Sequence, residues 1–210
     1  QLIDELQINN NKEWMDGQRS YYKEVRDEYI SWLDYLNIEF AKIDPDYFDT
    51  PGKKAINSIN NNLMFHPNKL TYKDHFGAGL DQVSKQGDFY IHLGVQECFI
   101  GGGYWHPSSK ILKSLREGID YNGEEFKAIL ARPSFKKMFG ALVEDVSLKT
   151  APKGYSQDHR HIDLLRRKSF AVVRNFSQKE VESSDFMDKI IGAYKELLPF
   201  RRYLNTAVSV

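Results

Sequence analysis

The sequence predicts an α+β fold: a mostly antiparallel sheet packed by a long N-terminal helix and by C-terminal helices. Three observations predict it. Between residues 14 and 43 apolar side chains recur at steps of three, four or seven, the period of one helix face. From 46 to 103 that period gives way to glycines, asparagines and short apolar runs of strand length. Beyond 107 helical periods return, interrupted by one further strand-like run at 169–174. A helix, a block of strands and then helices around a returning strand is the order of a single α+β domain spanning 1–210. No internal repeat, linker or low-complexity stretch breaks it. An apolar fraction of 41%, with 13% aromatic residues, is enough to build a core and excludes disorder as the main state.

Taken in order, the first helix is expected to open on Asn10 as N-cap, with Glu13 three residues on as a variant capping box. Its stripe is Trp14, Tyr21, Val25, Tyr29, Trp32, Leu36, Phe40 and Ile43, with Lys23, Arg26, Asp27 and Glu39 off the stripe. A face of this kind packs on a sheet. Asp44-Pro45 ends it, because proline drives the preceding residue out of the α region. Strands are expected at 55–60, 75–80, 89–93 and 97–100. Phe89, Ile91 and Leu93 alternate with Tyr90 and His92, the mark of a half-buried strand, and 94–97 is short enough to turn the chain into an antiparallel partner.

Gly101-Gly102-Gly103 reads as a bulge or sheet exit; it lacks the spacing of a dinucleotide or P-loop fingerprint. Pro107 fits the first turn of a helix carrying Ile111, Leu112, Leu115 and Ile119. Asn122-Gly123 predicts a turn. A short helix with Phe126, Ile129 and Leu130 then stops at Arg132-Pro133, and another runs from Ser134 with Phe135, Met138, Phe139 and Leu142. Ser177 with Glu180 forms a second capping box. Phe186, Ile190, Tyr194 and Leu197 give the last long helix, kinked or restarted at Pro199.

Charge is balanced, 29 basic residues against 29 acidic, so no global field draws the chain to nucleic acid or to an anionic membrane. No apolar run approaches the roughly 20 residues that span a bilayer, and no signal peptide is visible. The single cysteine, Cys98, cannot form an internal disulfide and sits in an apolar run, where a buried thiol is expected rather than a nucleophile. These features predict a cytoplasmic protein without a membrane partner. Asn175-Phe176-Ser177 matches a glycosylation triplet, a pattern common by chance.

Polar chemistry gathers between Leu63 and His92. Lys69, Tyr72, Lys73 and His75 form the leading cluster: two cations and a histidine suit a phosphate or carboxylate, and burial could recruit the same groups as acid or base. If 72–75 is extended, Lys73 and His75 point one way and Tyr72 the other. The bland alternative is a solvated loop whose lysines cover apolar surface. His159-Arg160-His161 with Asp163 is the best metal candidate, but the stretch reads as a loop entering a helix, where Asp163 would cap or bridge, and no metal is expected. The segment 149–174 is locally basic, seven basic residues against two acidic. Within it Lys153-Gly154-Tyr155 could turn backbone N–H groups to an anion or be a plain turn. Tyr155 and Phe170 near Arg166, Arg167 and Lys168 could stack and neutralise nucleic acid, which the neutral total disfavours. No hydrolase, zinc or calcium-loop signature is present, and no cofactor is implied.

Asn9-Asn10-Asn11-Lys12-Glu13-Trp14, with Arg19 and Tyr22, is similar to the start of the bacterial and fungal conserved hypothetical proteins called domain of unknown function twenty-four sixty-one, a family that the chain resembles over nearly its whole length. Gly101-Gly102-Gly103-Tyr104-Trp105 with Pro107 resembles its central segment. Ala151-Pro152-Lys153-Gly154-Tyr155, followed by Asp158-His159, Leu164-Leu165 and Lys168-Ser169-Phe170, resembles its late motif. Phe65, Lys69, Tyr72, Lys73 and His75 keep the pattern of the family's arginine-rich signature, whereas Ser58, Asn61, Asn62 and Met64 stand where it carries three arginines and an aspartate. Amides and a thioether cannot replace bidentate guanidinium recognition. The resemblance implies a fold and a pocket rather than a reaction.

The favoured expectation is a module that binds a small anionic or phosphate-containing ligand through Lys69, Tyr72, Lys73, His75 and Lys153, with Trp105 as an apolar wall. An acid/base enzyme using Lys73 or His75, and a protein-interaction domain with a degenerate pocket, are the alternatives.

Overall fold

We describe the fold from a computed structural model covering residues 1–64 and 66–208; Phe65 lies outside the described residues. The architecture is α+β, with helices at both ends of the chain around a four-stranded antiparallel sheet in the order β1-β2-β3-β4. Three N-terminal helices come first: α1 (Leu2–Ile8), α2 (Lys12–Gly17) and α3 (Arg19–Ile43). A short α4 (Gly52–Ala55) leads into the strands β1 (His75–Leu80), β2 (Phe89–Gly94) and β3 (Cys98–Tyr104). Then follow α5 (Ser109–Ala131), α6 (Pro133–Phe139) and α7 (Ile162–Leu165). Last come β4 (Phe170–Phe176), α8 (Gln178–Val181) and α9 (Phe186–Ala207). None of the described helices is long and apolar enough to cross a membrane.

The chain divides into two compact units. The first comprises 1–82, 90–100 and 175–191, the second 83–89, 101–174 and 192–210. In the first unit α3 buries Tyr29, Leu33, Leu36 and Phe40. Tyr29 packs on Phe76 of β1 at 5.5 Å between centroids, and Trp32 stacks on Phe186 at 6.2 Å. The expected aromatic stripe is therefore real, and it packs on the sheet and on the first turn of α9. A smaller core of Leu6, Met15, Ile59 and Tyr72 lies beside it, with Trp14 and Tyr22 against it.

In the second unit Phe126 stacks on Phe200 and Tyr203, Phe135 meets Phe139 and Phe200, and Tyr194 meets Phe89 edge-on. Phe126, Phe135, Phe200 and Tyr194 are fully buried.

Several local expectations are corrected. The N-terminal helix is broken at Gly17-Gln18, a further helix precedes it, and the cap is Asn11, whose side chain accepts from the Trp14 N–H at 2.9 Å. Asn10 is engaged elsewhere, since its amide donates to the Tyr72 carbonyl and accepts the Tyr72 N–H, both at 2.9 Å. Such a pair imitates a strand ladder and holds the start of α2 to the distant segment. Residues 55–60 form two isolated bridges, Ile56 to Ala78 and Asn60 to Tyr72, rather than a strand. Asn122-Gly123 is a kink inside α5, not a turn, and Pro199 sits inside α9 without ending it. The Ser177–Glu180 capping box forms as expected. Cys98 is buried, its thiol directed at the Gly94 carbonyl 3.1 Å away.

The three glycines lie inside β3 rather than at its exit. A Cβ on Gly101 would meet the Val172 carbonyl oxygen at 2.7 Å, and one on Gly102 the Leu197 side chain at 2.6 Å. They let a neighbouring backbone and α9 close on the strand.

Candidate functional site

In the first unit two of the open cavities among the described residues flank the segment entering β1. Alternation along that segment places Tyr72 toward one and His75 toward the other.

The cavity on the Tyr72 side has a volume of about 570 Å³ and is lined by Lys12, Arg19, Tyr22, Arg26 and Met15 from α2 and α3, by residues 56–60 and by Tyr72. The helices place the cations: Lys12 opens α2, and Arg19 and Arg26 lie seven residues apart on α3, two turns along one face. Asp16 ties the first pair, 2.5 Å from the Lys12 amine and 2.6 Å from the Arg19 guanidinium, and both partners hold its carboxyl below the usual carboxylate range. Arg26 lies 3.6 Å from Asp27. The opposite wall is the neutral segment 56–60, with Asn57, Ser58 and Asn60 among its residues.

The cavity on the His75 side, about 500 Å³, is lined by Asp74, His75, His92 and Glu97 with the intervening turn 94–96. His75 and His92 stack face to face with centroids 3.9 Å apart, and Phe99 stacks on His92 at 4.6 Å. The Asp74 carboxylate is 3.2 Å from His75 Nδ1, and Glu97 is 3.8 Å from His92 Nε2.

Burial, and then the neighbouring His75, push His92 down to about 4. A folded value below the unfolded 6.5 makes the unfolded chain the better proton acceptor, so stability is lost as pH falls from about 6.5 toward 4. The cavity admits some solvent to this covered ring, and the loss is expected to be on the order of 2–3 kcal/mol. Urea unfolding at steps between pH 7 and 4.5 measures it, and His92→Phe should flatten the slope. An unchanged slope in the variant removes His92 as the cause.

Of the six residues singled out from sequence, Tyr72 and His75 line different cavities. Lys73 spans to the first of these walls, its amine donating to the Ser58 carbonyl at 2.6 Å, and burial followed by Lys69 holds it below the ordinary lysine value. Lys69 is exposed. Trp105 and Lys153 belong to the second unit. Trp105 is 55% exposed and edge-on to His106 at 4.5 Å; Lys153 is an exposed residue of the turn closed by the Tyr155 N–H on the Pro152 carbonyl.

The metal candidate resolves into pairs. His159 Nε2 is 2.8 Å from Asp120, and His161 packs against Gly123. Among the described residues no group of three or more such donors is placed to hold a metal ion.

Sequence reasoning passed over Lys12, Arg19 and Arg26 as site residues, although Lys12, Arg19 and Tyr22 stand in the opening motif that carries the resemblance. It also passed over Asp74, His92 and Glu97. The signal for His92 was its place opposite Ile91 in an alternating strand.

Searches of curated proteins and of solved structures each found no match. The model of one family, described as conserved hypothetical protein (DUF2461), matches residues 1–203, and the chain belongs to that family.

Proposed function

We propose that the first unit binds a small anionic, phosphate-containing ligand in the cavity lined by Lys12, Arg19 and Arg26. The observation that carries this reading is the convergence of three cations from two helices on one open cavity whose far wall is Asn57, Ser58 and Asn60. Guanidinium groups give planar, permanently charged recognition of phosphate, and amide and hydroxyl groups supply neutral donors opposite. Asp16 offsets one positive charge and pre-orients Lys12 and Arg19, so less side-chain freedom is lost on binding. The arginines that the family's signature carries at 58, 61 and 64 are absent here, and helix-borne cations face the same region from the other side.

Thermal unfolding with inorganic phosphate and with adenosine diphosphate tests it. A ligand at a hundred times its Kd stabilises by about 2.7 kcal/mol, which is roughly 5–10 °C in Tm for a chain of this size. Arg19→Ala with Arg26→Ala should abolish the shift. Lys69→Ala with Lys73→Ala should leave most of it, because neither lysine lines the cavity. No shift with either probe, or a shift that follows the lysines and not the arginines, refutes the assignment.

A further inference from the structure

The cavity on the other side of the segment has the opposite character. Its charged lining is Asp74 and Glu97, joined by the imidazoles of His75 and His92 and by the exposed Gln96 of the turn. His92 is nine-tenths covered, yet its Nε2 stands 3.8 Å from Glu97, beyond hydrogen-bond distance. On the far side of the ring Nδ1 meets the Tyr90 hydroxyl at 3.5 Å. His75 has its Nδ1 toward Asp74, so Nε2 is its second polar atom.

These donors do not converge on a point. The rings are face-stacked with an interplanar angle of 25°, and among the described residues no three of these groups are placed to hold one metal ion. The turn carbonyls are also occupied: the Gln178 amide donates to Gly94 and Val95 at 2.8 and 2.9 Å. What the cavity presents is a pair of separated carboxylates with imidazole acceptors between them. That pattern fits a group carrying several N–H donors and a positive charge spread over a few ångströms. An ammonium or guanidinium meets it, each N–H finding an acceptor and the charge finding two counter-ions.

We propose that the cavity lined by Asp74, His75, His92 and Glu97 is a second binding site, for an organic cation bearing an ammonium or guanidinium group. Both a free amine and the side chain of a peptide carry that chemistry, and the site is independent of the anion cavity. Isothermal titration of the full chain with agmatine, and separately with an arginine-containing tripeptide blocked at both ends, tests the idea and distinguishes the two sources.

Saturable binding of at least one probe is expected, weakened tenfold or more by Glu97→Gln and lost in Asp74→Asn with Glu97→Gln. Tighter binding of agmatine assigns a free amine; tighter binding of the peptide assigns a protein side chain. Both carboxylates are at least partly exposed at the rim, so circular dichroism and Tm should show the variants folded, and Glu97→Gln alone stands in if the double variant is not. The proposal is overturned if neither probe binds, if the variants bind as tightly as the wild type, or if nickel(II) binds while both organic cations do not. Phosphate-induced stabilisation should be unchanged in these variants, so this site can fail without the anion cavity failing.

Discussion

Gly103→Ala is expected to be severely damaging for so small a substitution, costing at least about 3 kcal/mol. Gly103 holds φ at +104°, a region that L side chains rarely adopt. A Cβ there would also lie 2.2 Å from the Phe170 carbonyl oxygen and 2.9 Å from the Phe200 ring. Neither wall can yield cheaply. The carbonyl belongs to β4, the strand paired with β3, and Phe200 is fully buried. Backbone strain and a backbone clash therefore add, and close-packed interiors transmit rather than absorb them. Thermal unfolding of the variant should show Tm lower by on the order of 10 °C. A fall of only a degree or two means that β3 and β4 are more loosely joined than this close approach requires.

The second large effect concerns the kink in α5, and here two terms of opposite sign compete. Asn122 leaves the helical region, with φ −141° and ψ 45°. The Tyr203 hydroxyl lies 3.2 Å from the Gly118 carbonyl and 3.0 Å from that of Asn122, and so takes up acceptors at the break. In an ordinary helix Gly→Ala would stabilise by about 1 kcal/mol. At Gly123, however, a Cβ would meet three atoms of the His161 ring at 2.6–2.8 Å.

That ring is 1% exposed, and neither nitrogen has a hydrogen-bond partner. Burial, then Lys127 and Arg160, hold it below the ordinary histidine value, so it is a neutral plate packed on the helix backbone. The clash should win, and Gly123→Ala is expected to cost about 2–3 kcal/mol. His161→Ala should make room: in that background Gly123→Ala should be neutral or stabilising. Four urea titrations close the cycle. Additive losses would show that His161 is not the obstacle.

How much of this was legible depended on whether a residue's role was local. The α3 stripe and the Ser177 capping box are set by neighbours a few residues away, and sequence reading located them; the β2 alternation holds from Phe89 to Ile91 but not beyond, since His92 is buried and Leu93 only half-buried. Asn10 misled because it has the chemistry of an N-cap but spends it on Tyr72, 62 residues on, leaving the cap to Asn11. The Asn122-Gly123 pair reads as a turn; it stays in a helix because Tyr203 and His161 furnish the contacts that a kink needs. Pro199 is carried inside α9 in the same way, flanked by buried Leu197, Leu198 and Phe200.

The candidate site was half legible. The segment 72–75 stands out in the sequence for its density of polar groups, and its alternation separates Tyr72 from His75. The reading stopped at one segment, whereas each cavity takes its other wall from far along the chain: Lys12, Arg19 and Arg26 on one side, His92 and Glu97 on the other. Separation in sequence hides such walls. The glycine run was likewise read as a bulge or sheet exit, when all three members lie inside β3 and serve close approach by strand and helix, Gly103 with a positive φ besides.

The central claim is that an anion enters the cavity between α2, α3 and the 56–60 segment. A two-dimensional 1H–15N NMR titration of the full chain with inorganic phosphate tests it most directly. Saturable shifts should concentrate at Asn57, Ser58, Asn60 and Tyr72 and at the guanidinium resonances of Arg19 and Arg26, and Arg19→Ala with Arg26→Ala should erase them. Shifts that gather at Lys153 or Trp105 while these positions stay still, or no saturable shift at all, would contradict the account.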